Sequence, residues 1–304
     1  MLSTHDKRIA VIGATGLLGG SVVRALQTGL EFKVRALTRH PSQHRDLADE
    51  VVEADLNRPE TLEAAFQGAY GVFLVTNFWE KGTDEHKQVT AAVRAAKAAG
   101  VRHVIWSTLP NVEVISGRKY DVPHFTGKAR CDHLIREAEF ANHTFVIPPI
   151  YYQNLAGVLA PQQLPDGSLG WALPIDPAAR CLHMGDIREL GDVVVGAFAH
   201  PEQAGHGEVL PLVGDFMSFR DIVDTLNQQG HHFSVNQVSK EVFAASFPGG
   251  AEVAETFLYF QAHSYLGSPS HDRIALANKV AGRQPTRFET WAKLNLPVQS
   301  PARS

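Results

Sequence analysis

The heptapeptide Gly13-Ala14-Thr15-Gly16-Leu17-Leu18-Gly19 follows directly on the apolar run Ile9-Ala10-Val11-Ile12 and precedes a helical pattern over residues 21–26. A short β-branched run that enters a glycine-rich turn and then a helix is the unit that grips a dinucleotide pyrophosphate. The first glycine permits the tight turn, the second lets backbone approach the phosphates, and the third lets the helix pack close to the strand. Free N–H groups at the helix start attract negative charge. The turn therefore announces a cofactor and constrains the chain to an α/β fold, while leaving the chemistry open.

The rest of the first half agrees. Strand-like runs fall at residues 8–12, 33–37, 50–53, 71–75, 103–107 and 144–147, and helical patterns at 20–28, 59–67, 83–99 and 127–139. Such alternation predicts a doubly wound parallel sheet of the Rossmann type, covered on both faces. Gly68 and Gly100 stand where C-cap glycines belong. After Pro148-Pro149 the rhythm breaks, and residues 151–182 read as loops with short elements. Helical patterns return at 186–199, 218–229, 240–247 and 252–265. The expected division is a dinucleotide-binding domain, 1–152, and a smaller C-terminal α/β domain, 153–304, for substrate or partner. Part of 184–200 is expected to return to the first domain.

Composition narrows the function. The 304 residues carry 44% hydrophobic and 20% charged side chains with a net charge of −4, which gives no electrostatic footprint for nucleic acid or anionic membrane. Two cysteines, Cys131 and Cys181, exclude a disulfide scaffold. Residues 1–7 lack an apolar signal region and no apolar run is long enough to span a bilayer. A cytoplasmic protein is expected, with nuclear entry left open. Fifteen histidines are scattered without a metal-ligand pattern, so no metal is expected and His40 and His44 read as solvated surface.

The second strand decides the cofactor. An acid at its tip favours NAD, whereas an arginine accommodates the 2′-phosphate of NADP. Here the strand ends in Thr38-Arg39. The Arg39 guanidinium suits a bidentate clamp on phosphate or a stack on adenine, so NADP(H) is favoured over NAD(H). Asp55 and Leu56 follow the third strand, where a carboxylate accepts from an adenine amino group. Thr76-Asn77-Phe78-Trp79-Glu80 follows the fourth, at the ligand-binding edge.

The glycine spacing resembles the extended and atypical short-chain dehydrogenase/reductases. That pattern implies a serine after the fifth strand and a Tyr-x-x-x-Lys on the next helix, where tyrosine moves a proton and lysine lowers its pKa and bonds the nicotinamide ribose. Ser107 and Lys128 are present, but His124 stands where the tyrosine would be. Histidine can act as a general acid–base near neutral pH, and it equally suits a helix start. Tyr120 lies eight residues before Lys128, but the intervening Pro123 argues against a helix reaching it.

Here the resemblance sharpens. Gly13 to Gly19, Phe32-Lys33-Val34-Arg35 with Thr38-Arg39, residues 75–80, His124-Phe125 with Gly127-Lys128, Tyr151-Tyr152-Gln153-Asn154 and Thr290-Trp291 resemble the NmrA-like family, in particular its HSCARG-type, NADPH-responsive members. The resemblance implies that Gly13, Ala14, Thr15, Gly16, Leu17 and Leu18 hold the pyrophosphate and Arg39 the 2′-phosphate. It implies that Thr76, Asn77 and Phe78 line the cofactor, and that Lys87 and Lys128 reach its ribose or phosphates. Tyr151, Tyr152, Gln153 and Asn154 would close over the nicotinamide. One departure weakens the NADP preference: Gln43 replaces a lysine of the HSCARG type, and His44 or Arg45 compensates only if the loop folds back.

Two functions follow as expectations. A complete binding set without the catalytic tyrosine suggests a redox-sensing regulator acting through a protein partner. The alternative is an NADPH-dependent reductase of a small apolar carbonyl, enone, quinone or imine, with its pocket near Trp79, His124, Tyr151 and Trp171. A homodimer is left open.

Overall fold

The computed structural model describes residues 7–29 and 31–298; residues 1–6, on which the expectation about a leader rests, lie outside them. Seven strands form one parallel sheet: β1 (Arg8–Val11), β2 (Lys33–Thr38), β3 (Glu50–Glu53), β4 (Gly71–Leu74), β5 (His103–Ser107), β6 (Asn142–Ile147) and β7 (His206–Pro211). Their order is β7-β6-β5-β4-β1-β2-β3. Strand order reverses between β1 and β4: β1 pairs in parallel with β2 on one side (Val11↔Ala36) and with β4 on the other (Val11↔Phe73). A doubly wound sheet opens its ligand crevice at that switch point, beyond the carboxyl ends of the strands.

Alternation along β1 explains both layers. Ile9 and Val11 face one side, packing with Val22, Val23 and Leu26 of α1 (Leu17–Gly29). Ala10 and Ile12 face the other, with Leu62 and Phe66 of α2 (Leu62–Phe66) and Val89 and Ala92 of α3 (Glu85–Ala98). Successive side chains leave opposite faces of a strand, so a sheet buried on both sides needs apolar residues at every position.

The six predicted strands are all present within two residues of their expected ends. The predicted helix over 127–139 is instead α4 (Pro123–Arg130) followed by α5 (Asp132–Glu137). Pro123 occupies the first turn, where its missing N–H has no cost, and this leaves Tyr120 outside the helix.

Strand β7 is not predicted by the sequence pattern. His206-Gly207-Glu208 and a terminal Pro211 carry loop-like chemistry, yet Val209 and Leu210 pair with Phe145 and Val146 of β6. Two helices also return to the sheet: α6 (Leu190–Ala199) and the helix His271–Ala281 bring Val193, Val194, Phe198, Ala277 and Val280 into the core beside α1. The remaining chain builds a second lobe from two three-stranded sheets and three larger helices. Its core contains Tyr152, Leu182, Phe219, Phe257, Phe260 and Trp291. The sheets order Asp215–Met217, Leu182–Gly185, Ile150–Tyr151 and Phe233–Gln237, Leu169–Leu173, Gln162–Gln163. No helix among the described residues is long and apolar enough to cross a membrane.

Candidate functional site

A single cavity of about 860 Å³ runs from the glycine turn, past the ends of β1 and β4, to the aromatic underside of the second lobe. At its first end the backbone is shaped by two glycines. Gly13 has φ +68°, a left-handed conformation that L side chains rarely adopt. Gly19 lies so close to the turn that a Cβ there would sit 2.2 Å from the Gly13 carbonyl oxygen. The Gly16 N–H bonds to the Gly13 carbonyl at 2.9 Å and the Gly20 N–H to the Gly16 carbonyl at 2.8 Å. The N–H groups of Leu17, Leu18 and Gly19 have no acceptor among the described residues. This is the pattern of donors a helix start offers to an anion.

At the second-strand end, the Arg39 guanidinium is half exposed and paired with the Glu80 carboxylate. His44 lines the cavity beside it, as does the exposed His40, whereas Arg45 does not. Both histidines border the cavity, His40 exposed and His44 half-buried. Asp55 and Leu56 line the same region, and the Asp55 carboxylate accepts from the Asn57 N–H at 2.9 Å.

The centre is built around a buried ion pair. Lys128, one turn into α4, donates to the Thr76 carbonyl at 3.0 Å, the Thr76 hydroxyl at 2.7 Å and the Glu85 Oε1 at 2.5 Å. An ammonium has three N–H donors, so all are used. The Thr76 hydroxyl donates in turn to Glu85. Glu85 Oε2 is buried without a partner. Burial pulls the Lys128 pKa below its ordinary value, against the opposing pull of Glu85. The Nζ lies 5.3 Å from the Trp106 ring centroid.

One turn before Lys128, His124 Nδ1 lies 2.6 Å from Glu252 Oε1, contributed by α7 (Gly250–His263) of the second lobe. The imidazole packs against Trp79 at 5.0 Å and Phe78 at 5.9 Å between centroids. Burial lowers its pKa below the usual histidine value, and Glu252 opposes that shift. Ser107 and Asn77 also line the cavity. Tyr151 does too, and burial pushes its phenol up to about 12.

Seventeen of the predicted site residues thus surround one cavity: Gly13, Thr15, Gly16, Leu17, Leu18, Gly19, Arg39, Asp55, Leu56, Thr76, Asn77, Phe78, Ser107, His124, Lys128, Tyr151 and Asn154. Four do not. The Ala14 side chain is buried in the sheet core. Lys87 points outward from the first turn of α3, 84% exposed and paired with Asp84 at 3.2 Å. Residues Tyr152–Ala156 form a 3₁₀ turn, whose threefold repeat puts Tyr151 and Asn154 on the cavity side and Tyr152 and Leu155 in the core. Gln153 bonds to Asp186 at 2.5 Å instead. Trp171 is likewise a core residue, its indole N–H donating to the Leu159 carbonyl at 2.7 Å.

The Tyr152 hydroxyl donates to Asp215 at 2.8 Å, and Asp215 also accepts from the Phe288 N–H at 2.6 Å. Tyr152→Phe should therefore lower stability by about 1–3 kcal/mol, the worth of a hydrogen bond to a charged group. NADPH affinity should stay unchanged. Thermal denaturation beside an equilibrium NADPH titration checks both halves, and a weakened titration would return Tyr152 to the site.

No local sequence pattern marks Glu85 and Glu252 as partners, nor the apolar end formed by Val253, Phe257 and Phe260. These residues meet the site only through the fold.

Comparison with known proteins agrees with this architecture. The profile of the NmrA-like family matches residues 5–292. An NmrA-like family domain-containing protein of Dictyostelium discoideum is 33% identical, covering 95% of this chain and 97% of that protein. An NmrA-like family domain-containing oxidoreductase of Cladobotryum sp. is 34% identical over 72% of each chain. Among solved structures, NmrA, a negative transcriptional regulator in complex with NADP, superposes with a TM-score of 0.79 at 21% identity, covering 95% of both chains. The chain belongs to the NmrA-like family.

Proposed function

We propose that the protein is an NADP(H)-binding reductase of an apolar, ring-bearing carbonyl, enone, quinone or imine. The observation that carries this reading is the continuity of the cavity: the glycine turn, the Lys128–His124 centre and the apolar wall of Leu109, Val253, Phe257 and Phe260 share one volume. The unpartnered N–H groups after Gly16 fit a pyrophosphate, and Arg39 fits a further phosphate. A reduced nicotinamide, when bound, supplies hydride. The chain's own residues would orient it, exclude water with aromatic walls and hold a proton near the acceptor. The relative from Cladobotryum, itself described as an oxidoreductase, supports the same direction.

The test is NADPH oxidation with quinones, aldehydes and imines, run beside Lys128→Ala and His124→Ala. Turnover in the parent that falls in both variants supports the reading; no substrate-dependent oxidation defeats it. Cofactor choice is separable. Arg39→Ala should weaken NADPH binding by about 10- to 100-fold, the worth of a charge-assisted hydrogen bond, and leave NADH binding nearly unchanged. Equal losses for both would place Arg39 on a group the two cofactors share.

A second reading, redox-sensing regulation through a protein partner, has one specific observation in its favour. A 2′-phosphate and Glu80 would compete for the same Arg39 guanidinium, and Glu80 adjoins Trp79, which is 64% exposed. Occupancy could thereby be reported at the surface. The structurally similar NmrA, a negative transcriptional regulator, points the same way. Partner capture that differs between NADPH and NADP would support it; capture indifferent to the nucleotide would not.

A further inference from the structure

We propose that Glu252 is the positioning residue of a proton-transfer dyad, holding His124 with Nδ1 protonated so that Nε2 presents the exchangeable proton to the cavity. The inference rests on the reductase reading and names the group that completes it.

The geometry is specific. Glu252 lies in the first turn of α7 and His124 in the first turn of α4, so two helix starts far apart in sequence meet through this contact. The same Glu252 Oε1 lies 2.6 Å from His124 Nδ1 and 3.4 Å from the His124 backbone N–H. An ionised carboxylate only accepts, so Nδ1 must donate, and this fixes the tautomer. The ring cannot turn freely: Phe125 packs against it at 4.7 Å and 86°, and Trp79 covers it at 5.0 Å. His124 Nε2 has no hydrogen-bond partner among the described residues, while the residue lines the cavity.

Reduction then needs a hydride and a proton. The acceptor C=O or C=N gains hydride at carbon, forming C–H, and its π pair takes the proton from Nε2–H of the imidazolium. A bound reduced nicotinamide would supply the two electrons as that hydride, and His124 would be left neutral with Nδ1–H still on Glu252. Solvent restores the proton. Three charged groups face the ring: Glu252 from α7 and Glu85 from α3 favour the imidazolium, and Lys128 from its own helix disfavours it. Because reduction needs the protonated ring, kcat/KM falls as pH rises through the His124 pKa. Removing the Glu252 charge lowers that pKa, so the falling limb moves to lower pH.

Glu252→Gln keeps an acceptor for Nδ1–H and removes only the charge. It should lower kcat/KM about tenfold on the alkaline limb, the effect of about one pKa unit, while nearly restoring it at low pH. NADPH affinity should be unchanged. An unshifted profile in a variant that still turns over would overturn the dyad. That result would point to the Tyr151 hydroxyl, which stays protonated across this range. Nitrogen-15 NMR of His124 supplies a readout independent of turnover. The Nδ1–H tautomer and a pKa lowered by Glu252→Gln are expected; an Nε2–H tautomer or an identical pKa refutes the dyad. Absence of turnover in the parent protein would instead refute the reductase reading, and with it the proton-transfer role.

Discussion

Gly19→Ala is expected to lower NADPH affinity by at least about 100-fold, equivalent to about 2.7 kcal/mol, and to destabilise the fold as well. The added Cβ would lie 2.2 Å from the Gly13 oxygen, 2.5 Å from the Gly13 carbonyl carbon and 2.9 Å from the Ile12 oxygen. These are backbone atoms of the strand and turn, and no rotamer can relieve such contacts. Helix α1 must move away from β1, carrying with it the N–H groups of Leu17 and Leu18. Helix propensity works in the opposite direction, since alanine is favoured over glycine inside a helix by about 1 kcal/mol. A measured loss therefore reports packing. Gly16→Ala is the control: its Cβ would be 3.4 Å from the Gly13 oxygen, an ordinary contact. It should leave the melting temperature close to the parent value and weaken only the nucleotide, whose phosphates would meet the new methyl group. Unchanged NADPH binding in Gly19→Ala would remove the glycine turn from the binding site.

The features legible in the sequence were those written in consecutive residues. A β-branched strand, a glycine turn and a helix start are local events, and Gly13 and Thr15 to Gly19 line the cavity as that pattern implies. The six early strands were legible because burial on both faces demands continuous apolar runs. Strand β7 was not, because it lies at the sheet edge, where Glu208 can remain half exposed and Pro211 lacks a donor that a central strand would need. Lys87, which the resemblance brings to the cofactor, lies outside the cavity, because its place in the first turn of α3 turns the side chain to solvent beside Asp84. Tyr152 and Gln153 failed because a 3₁₀ turn repeats every three residues, so only two of four neighbours can share one side.

Pairings across the fold were beyond a reading of local pattern altogether. Glu252 is 128 residues from His124 in sequence, and Glu85 is 43 from Lys128. His124 read as an isolated substitution for tyrosine. With Glu252 on Nδ1 it becomes a ring of defined tautomer, which changes what the substitution implies for chemistry.

Lys128→Met should cost about 3–5 kcal/mol of stability, because it strands the Glu85 carboxylate in the interior without its counter-charge. The two side chains are only 9% and 6% exposed, so water does not replace the ammonium. Thr76 alone would still donate to Glu85, and the second carboxylate oxygen already lacks a partner. At about 2–4 °C per kcal/mol for a chain of this order, the melting temperature should fall by about 6–20 °C. Adding Glu85→Gln removes the stranded charge and should restore most of the lost stability at neutral pH. NADPH affinity should not return with it if Lys128 itself touches the cofactor. A double variant that recovers both properties would instead mean that Lys128 serves only to neutralise Glu85. Calorimetry and nucleotide titration of the parent, the single variants and the double variant distinguish these outcomes, since stability follows the charge balance of the pair whether or not the ammonium touches the cofactor.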